Sequence, residues 1–168
     1  MKEIYLICGI PGSGKDWYVN NIIRGNVVSF DDIRVMCYEN FNFNHGLGSI
    51  DLYNKAWEYC NSKKIDLMVP LTNKIKHLLE INEIPCICNT LLTRKSRERM
   101  LIDLKHVFKD IKFNAVFLTV PSKIALERNT NRNTHRLSED VMNRFLNGPL
   151  ELPSCVEGFE TVKVVHNG

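Results

Sequence analysis

The chain has 168 residues, of which 44% are apolar and 24% are charged, and its formal net charge is +3. These values are typical of a single soluble globular domain with one core. The mild positive charge permits a polyanionic partner without requiring one. No apolar run approaches the ~20 residues that a membrane-spanning helix needs, and the N-terminus lacks the pattern of a signal peptide, so we expect no membrane association.

The six cysteines do not have the paired spacing of a metal site. Cys86 and Cys88 alternate within an apolar run, which favours burial as small hydrophobic side chains. Cysteines of this kind are typical of a reducing compartment, so we expect a cytoplasmic protein. The oligomeric state is left open, and a homo-oligomer is compatible with the sequence.

Apolar segments alternate with helical patterns along the chain. The predicted strands are residues 3–8, 26–30, 84–88 and 112–120, with a final edge strand at 161–165. The predicted helices are residues 16–24, 32–39, 50–81, a basic helix from 94, a helix after Pro121 and a last one at 137–146. Pro70 should kink or break the long 50–81 segment. Strands that alternate with helices predict an α/β fold, in which a parallel central sheet is covered by helices in three layers.

The first predicted strand leads directly into a glycine-rich turn, Gly9-Ile10-Pro11-Gly12-Ser13-Gly14-Lys15-Asp16, and a helix follows. This arrangement is typical of a phosphate-binding P-loop, where backbone N–H groups and the positive end of the helix hold phosphate oxygens. The lysine then reaches the β- and γ-phosphates. The predicted nucleotide-binding residues are Gly9, Pro11, Gly12, Ser13, Gly14, Lys15 and Asp16. One position departs from the pattern, because a serine or threonine that binds Mg²⁺ normally stands where this chain has Asp16.

The second predicted strand ends in Ser29-Phe30-Asp31-Asp32-Ile33-Arg34. Ligands of open α/β sheets gather beyond the carboxyl ends of the strands, so an aspartate here is a candidate base for an acceptor hydroxyl. The alternative role is the N-cap of the next helix, and we expect one aspartate to cap and the other to face the site. Arg34 could bind an acceptor phosphate through two hydrogen bonds, or it could be a solvated surface arginine.

Two later segments carry further candidates. Asn89 and Thr90 follow the third predicted strand, so they are candidate substrate-binding residues on the same side of the sheet. After the fourth strand, arginines recur at four-residue intervals as Arg128, Arg132 and Arg136. We predict that they belong to a flap that closes over the transferring phosphoryl group, with a solvated basic face as the alternative. The basic run 94–99 is expected to be mainly solvated, with one arginine directed inward.

Taken together, these motifs resemble the kinase module of phage-type polynucleotide 5′-kinases, over the chain from Met1 to about Val165. The resemblance rests on four motifs in order: Gly9 to Lys15; Asp31-Asp32-Ile33-Arg34; Asn89-Thr90-Leu91 followed by Arg97; and Val120-Pro121 leading to Arg128-Asn129 and Arg132. It implies a single P-loop kinase domain over 1–168 with a lid at about 121–147. It also implies ATP and Mg²⁺ as cofactors, a nucleic-acid 5′ end as substrate, and the host cytoplasm as location if the gene is carried by a phage.

The same resemblance implies roles for individual residues. Lys15 holds the β- and γ-phosphates, Asp31 is the general base for the 5′-hydroxyl, and Arg34 helps to hold the 3′-phosphate of the acceptor nucleotide. Arg128 and Arg132 match the lid arginines, and Arg132 fits the transition-state role best.

Two positions depart from the family pattern. Asp16 replaces Ser or Thr, and Asn89 replaces the Asp that follows the third strand. Each change alone should weaken activity, whereas together they relocate one negative charge across the site. We therefore expect Asp16 to serve as the metal-facing carboxylate, because Mg²⁺ keeps most of its waters and needs few protein ligands.

Three functions remain open from the sequence. The first is a polynucleotide 5′-kinase. The second is a P-loop kinase for a nucleoside, a nucleotide or a hydroxymethylated base in DNA. The third is a nucleotide-binding module without transfer activity, which the two unusual positions suggest.

Overall fold

The computed structural model describes residues 2–168, and Met1, the first residue of the resemblance, lies outside the described residues. A five-stranded sheet forms the centre, with the strand order β2-β3-β1-β4-β5 and every neighbouring pair parallel. The strands are β1 (Glu3–Cys8), β2 (Asn26–Val28), β3 (Pro85–Cys88), β4 (Lys112–Thr119) and β5 (Thr161–His166). The parallel α/β prediction is confirmed, including the strand at the edge of the sheet.

The helices connect these strands in the order expected for parallel crossovers. They are α1 (Lys15–Tyr18), which continues as a π-helical turn (Val19–Ile23), α2 (Phe30–Phe41), α3 (Ser49–Ser62), α4 (Met68–Glu80), α5 (Arg94–Val107), α6 (Ser122–Thr130) and α7 (Glu139–Asn147), with a 3₁₀ turn at Cys155–Glu157. None of the helices within residues 2–168 is both long enough and apolar enough to cross a membrane.

The central strand β1 is buried on both faces, which explains its unbroken apolar sequence. Ile4 and Leu6 belong to the larger core, together with Leu104 of α5. Ile7 points to the opposite face and packs in a smaller core with Val19. The chain passes from β1 to one side for β2 and β3 and to the other side for β4 and β5. A crevice therefore lies at the carboxyl end of β1, the usual ligand position in such sheets.

The structure defines two helix boundaries more closely than the sequence did. The helix after the glycine loop ends at Arg24, which adopts a left-handed conformation (φ 58°) while its N–H donates to the Val19 carbonyl at 2.7 Å. The long 50–81 segment breaks between α3 and α4, as predicted from Pro70. Pro70 itself lies in the first turn of α4, where a helix has no partner for a backbone N–H and proline is tolerated.

Candidate active site

The glycine loop after β1 is held tightly by its neighbours. The Gly9 N–H donates to the Thr90 carbonyl at 3.0 Å, which joins the loop to the end of β3. Gly12 has φ +83°, and a Cβ there would lie 2.7 Å from the Ala125 carbonyl oxygen of α6. Only glycine fits this close approach without strain. The loop therefore has the fixed, backbone-lined shape that phosphate binding requires.

Lys15 lies at the start of α1 and folds over the loop. Its Nζ donates to the carbonyl oxygens of Gly9 at 2.9 Å and Ile10 at 3.1 Å. Burial lowers the pKa of Lys15 to about 8, and the positive charge of Arg132 adds to this effect. The charge of Arg132 is thus felt at Lys15, and a joint action of the two residues on one phosphate group stays a prediction.

Asp16 occupies the first turn of α1 and is exposed. Burial raises the pKa of the Cys88 thiol well above its usual value, and the nearby Asp16 charge raises it further. Ser13, three residues earlier in the chain, is fully buried and its Oγ has no hydrogen-bond partner within residues 2–168. These oxygens fit Mg²⁺, which needs only one or two protein ligands besides phosphates and water.

Asp31, the predicted general base, is held by two neighbouring side chains. Its Oδ1 accepts two hydrogen bonds, from Arg34 Nη1 at 3.0 Å and from the Tyr53 hydroxyl at 3.0 Å. Burial raises the pKa of Tyr53 to about 12, and the Asp31 charge contributes in the same direction, so the phenol stays a donor at neutral pH. Oδ2 has no hydrogen-bond partner within residues 2–168, and the predicted role of a general base needs such an oxygen.

The alternative role of the aspartates as N-cap is wrong. Ser29 caps α2, because its Oγ accepts from the Asp32 N–H at 3.1 Å. Asp31 and Asp32 instead occupy the first turn of α2, where the helix dipole favours negative charge. The serine carries the same capping signal as aspartate in the sequence, and it lies one residue before the helix begins.

Arg34 is only one-fifth exposed, so the solvated alternative is wrong for this residue. Its Nη1 binds Asp31, and its guanidinium lies 5.9 Å from the centroid of the Phe30 ring. Its Nε is buried and has no partner within the described chain. An unpaired buried cationic donor is costly unless an anion completes it, which fits a phosphate of the acceptor.

Asn89 and Thr90 lie at the expected edge, but their described contacts are to backbone. Asn89 Oδ1 accepts from the Phe30 N–H at 3.2 Å, and its Nδ2 is buried without a partner in residues 2–168. Thr90 contacts the loop through its carbonyl, which accepts from Gly9. Both residues therefore join the ends of β2 and β3 to the site, and their role toward a substrate stays a prediction.

The lid region 121–147 contains α6, an irregular segment at 131–138 and α7. Asn129 closes the irregular segment, since its side chain donates to the Leu137 carbonyl at 2.9 Å and accepts from the Leu137 N–H at 3.0 Å. Arg132 is exposed, and its Nη1 donates to the His135 carbonyl at 3.4 Å. The predicted flap is therefore a compact loop whose arginine is exposed, and its closure over a phosphoryl group stays a prediction.

Two site residues were missed by sequence reasoning. Tyr53 reaches Asp31 from α3, and its ring packs edge-to-face on His135 of the lid with the centroids 4.6 Å apart. Asn167 follows β5, and its Nδ2 donates to the Ser13 carbonyl at 2.8 Å. Neither residue belongs to a local motif, because the contacts that give them a role are formed only by the fold.

No family model and no curated protein match the chain. Solved structures do resemble it. One is a protein assigned as a kinase from Chloroflexus aurantiacus, with TM-score 0.61, 11% identity, and coverage of 98% of this chain and 88% of that chain. A gluconokinase from Sinorhizobium meliloti has TM-score 0.51, 15% identity, and coverage of 99% and 83%.

A third structure is the Pnkp1/Rnl/Hen1 RNA repair complex, with TM-score 0.50 and 19% identity. The match covers 86% of this chain and 43% of that chain. The chain has the P-loop kinase fold. At these identities the likeness concerns the fold, so the reaction and the acceptor have to be argued from the site.

Proposed function

We propose that the chain is an ATP-dependent kinase that transfers the γ-phosphate to the 5′-hydroxyl end of DNA or RNA. The observation that carries the proposal is the geometry at Asp31. One carboxylate oxygen accepts hydrogen bonds from Arg34 and Tyr53, while the other has no partner within residues 2–168 and receives the acceptor hydroxyl in the proposed complex. The fold shared with gluconokinase and with part of an RNA repair complex supports phosphoryl transfer to a hydroxyl group.

In the proposed reaction, Asp31 Oδ2 accepts the proton of the acceptor hydroxyl. The hydroxyl oxygen forms a bond to the γ-phosphorus, the bond from that phosphorus to the bridging oxygen breaks, and ADP leaves. Lys15 and Arg132 stabilise the negative charge on the phosphoryl oxygens. The backbone of the glycine loop holds the remaining phosphates in place.

Arg34 favours an acceptor that carries a phosphate close to its hydroxyl. A 5′-terminal nucleotide meets this requirement, because its 3′-phosphate belongs to the chain that follows. In the proposed complex this phosphate pairs with the buried Nε of Arg34. An arginine fork suits a phosphate better than a lysine would, since it can donate two parallel hydrogen bonds.

Mg²⁺ is the cofactor that the resemblance implies, and it would neutralise phosphate charge when bound with ATP. Asp16 is the residue we propose to hold it. Asn89 Oδ1 accepts a hydrogen bond from the backbone of α2, so this oxygen is already used within the fold. In the proposed site, the carboxylate of Asp16 therefore takes the place of the one that is missing at position 89.

A small acceptor is the second candidate, and one groove favours it. This groove of about 430 Å³ lies between α2, α3 and the lid, close to the Tyr53–His135 contact. It is lined by Asp32, Val35, Met36, Glu39, Asn40, Ser49, Leu52, Thr134 and His135. Two carboxylates and no lysine or arginine line it, which disfavours a phosphodiester chain there and suits a neutral compound such as a nucleoside.

Labelled ATP with a panel of acceptors tests these functions. The panel contains 5′-hydroxyl DNA, 5′-hydroxyl RNA, nucleosides, nucleotides and DNA with hydroxymethylated bases. We expect transfer to the 5′-hydroxyl ends, and loss of it by about 10²-fold or more in Asp31→Asn, which keeps the shape but not the base. Transfer to free nucleosides alone would reject the proposal in favour of the second candidate. ATP binding without transfer to any acceptor would leave a nucleotide-binding module.

A further inference from the structure

Tyr53 connects the acceptor side of the site with the lid. It lies near the start of α3 and is half-buried. Its hydroxyl donates to Asp31 Oδ1 at 3.0 Å, and its ring meets the His135 ring at 81°. One side chain thus touches both the candidate base and the segment that carries the candidate transition-state arginine.

The contacts continue on both sides of Tyr53. His135 has a left-handed backbone (φ 55°), and its carbonyl accepts from Arg132 Nη1. Residues other than glycine adopt this conformation rarely, so the lid is held in a specific shape at the point where it meets Tyr53. The chain of contacts Arg132–His135–Tyr53–Asp31 therefore spans the site from the phosphoryl side to the acceptor side.

An acceptor should affect the two hydrogen bonds at Asp31 differently, the one from Arg34 and the one from Tyr53. Arg34 is shared in the proposed function, because its Nη1 binds Asp31 and its Nε binds the acceptor phosphate, so two anions compete for the charge of one guanidinium. Tyr53 has no such competitor, since it is a neutral donor whose ring is held by the lid. Tyr53 then keeps the carboxylate oriented while the charge of Arg34 is shared with the phosphate.

We propose that Tyr53 is a positioning residue, which couples docking of the lid to the orientation of the Asp31 carboxylate. This inference rests on the proposed kinase function. When the lid packs on the Tyr53 ring, the hydroxyl is directed at Asp31 Oδ1 and Oδ2 faces the acceptor. When the lid leaves, Tyr53 is free to rotate and the base loses its fixed orientation.

Tyr53→Phe separates the two contacts, because it keeps the ring and removes the hydroxyl. We expect kcat to fall about tenfold, the effect of one lost hydrogen bond to a charged group, with unchanged KM for ATP and acceptor. Tyr59→Phe on the same helix is the matched control. The Tyr59 ring packs on Tyr38, and its hydroxyl makes no hydrogen bond within residues 2–168, so kcat should not change. An unchanged kcat in Tyr53→Phe would overturn the proposal.

His135→Ala tests the coupling. In the wild-type background it should lower kcat, because Tyr53 is no longer held against Asp31. In the Tyr53→Phe background, His135→Ala should lower kcat by a smaller factor, because the hydrogen bond from Tyr53 to Asp31 is already absent. If the factor by which kcat falls in the double variant equals the product of the two single factors, the proposed coupling is overturned.

Lid docking is measured without any acceptor by limited trypsin cleavage after Arg132 and Arg136. Tyr53→Leu and His135→Ala should speed cleavage about threefold or more, whereas Tyr53→Phe should leave it unchanged. Equal cleavage in all variants would overturn the lid contact. If the wild type phosphorylates no acceptor, the proposed function fails, and the cleavage pattern still decides whether Tyr53 docks the lid.

Discussion

Arg128 is bound to Gly12, because its Nη1 donates to the glycine carbonyl oxygen at 3.1 Å. The same Nη1 donates to the Asn167 carbonyl at 3.0 Å. Arg128 is thus fixed to the glycine loop and to the segment after β5, whereas Arg132 is exposed and its charge helps to lower the pKa of Lys15. The two arginines that the sequence pattern treats as a pair have different surroundings.

From this difference we predict separable kinetic effects. Arg128→Met should raise KM for ATP about tenfold with a smaller change in kcat, because the loop that binds the phosphates loses a charged hydrogen bond. Arg132→Met should lower kcat about 10³-fold with little change in KM for ATP, as expected for an arginine that acts in the transition state. Steady-state kinetics with the accepted substrate measure both. Arg144→Met, an exposed arginine of α7, is the control that should change neither; a fall in kcat alone for Arg128→Met would contradict the assignment.

ATP binding should depend on pH through Lys15. The folded protein lowers the pKa of this lysine to about 8, so its charge is present below pH 8 and is lost as the pH rises above it. Bound phosphates favour the charged form, so affinity should fall about tenfold between pH 7 and pH 9. Calorimetry at pH 8 in buffers of different ionisation enthalpy should detect uptake of about half a proton on binding.

Lys15→Arg provides the control for this prediction. Arginine stays charged across the range, so its affinity should vary little with pH even if binding is weaker overall. A wild-type affinity that is constant from pH 7 to pH 9 would contradict the proposed protonation of Lys15.

The two unusual positions should compensate for each other. We expect Asp16→Ser and Asn89→Asp each to lower kcat about tenfold, and the double change to restore most of the activity, because it keeps one carboxylate in the site. Activity and the Mg²⁺ concentration for half-maximal rate are measured for all three variants. If both single changes raise activity and their effects add, Asp16 and Asn89 are independent impairments.

Arg97 should matter for stability more than for catalysis. Its side chain is fully buried, pairs with Glu157 at 2.8 and 2.9 Å, and donates to the Leu91 carbonyl at 3.0 Å. Arg97→Met leaves a buried carboxylate unpaired and should lower the free energy of unfolding by about 3–5 kcal/mol. Urea denaturation measures this change. Arg97→Met with Glu157→Met should be more stable than the single variant, since neither charge is then buried alone.

A normal unfolding free energy with reduced kcat in Arg97→Met would show instead that the arginine acts in the site. The sequence predicts that one arginine of the basic run points inward, and the structure identifies it as Arg97. Its partner could not have been predicted, because Glu157 lies 60 residues away in a 3₁₀ turn.

Sequence motifs predicted the part of the candidate site that is built from consecutive residues. The strand, glycine turn and helix at residues 3–18 are consecutive, so their order alone indicates a phosphate site. The capping role was assigned to the wrong residue, because Ser29 and the aspartates beside it carry the same preference and only the backbone geometry distinguishes them. The solvated alternative for Arg34 was wrong because α3 covers that face of α2, and no local pattern shows which helix packs there.

The sequence by itself determined the alternation of strands and helices, the phosphate loop and the candidate aspartate and arginines, because these depend on residues that are close in the chain. The tertiary structure alone decided how those residues are used. Tyr53 meets Asp31 across 22 residues, and Asn167 meets Ser13 across 154 residues. The first contact forms only when α3 packs on α2, and the second only when the parallel sheet brings the carboxyl ends of β1 and β5 to one edge. The physical reason is that hydrogen bonds and burial depend on distance in space, which sequence separation does not specify.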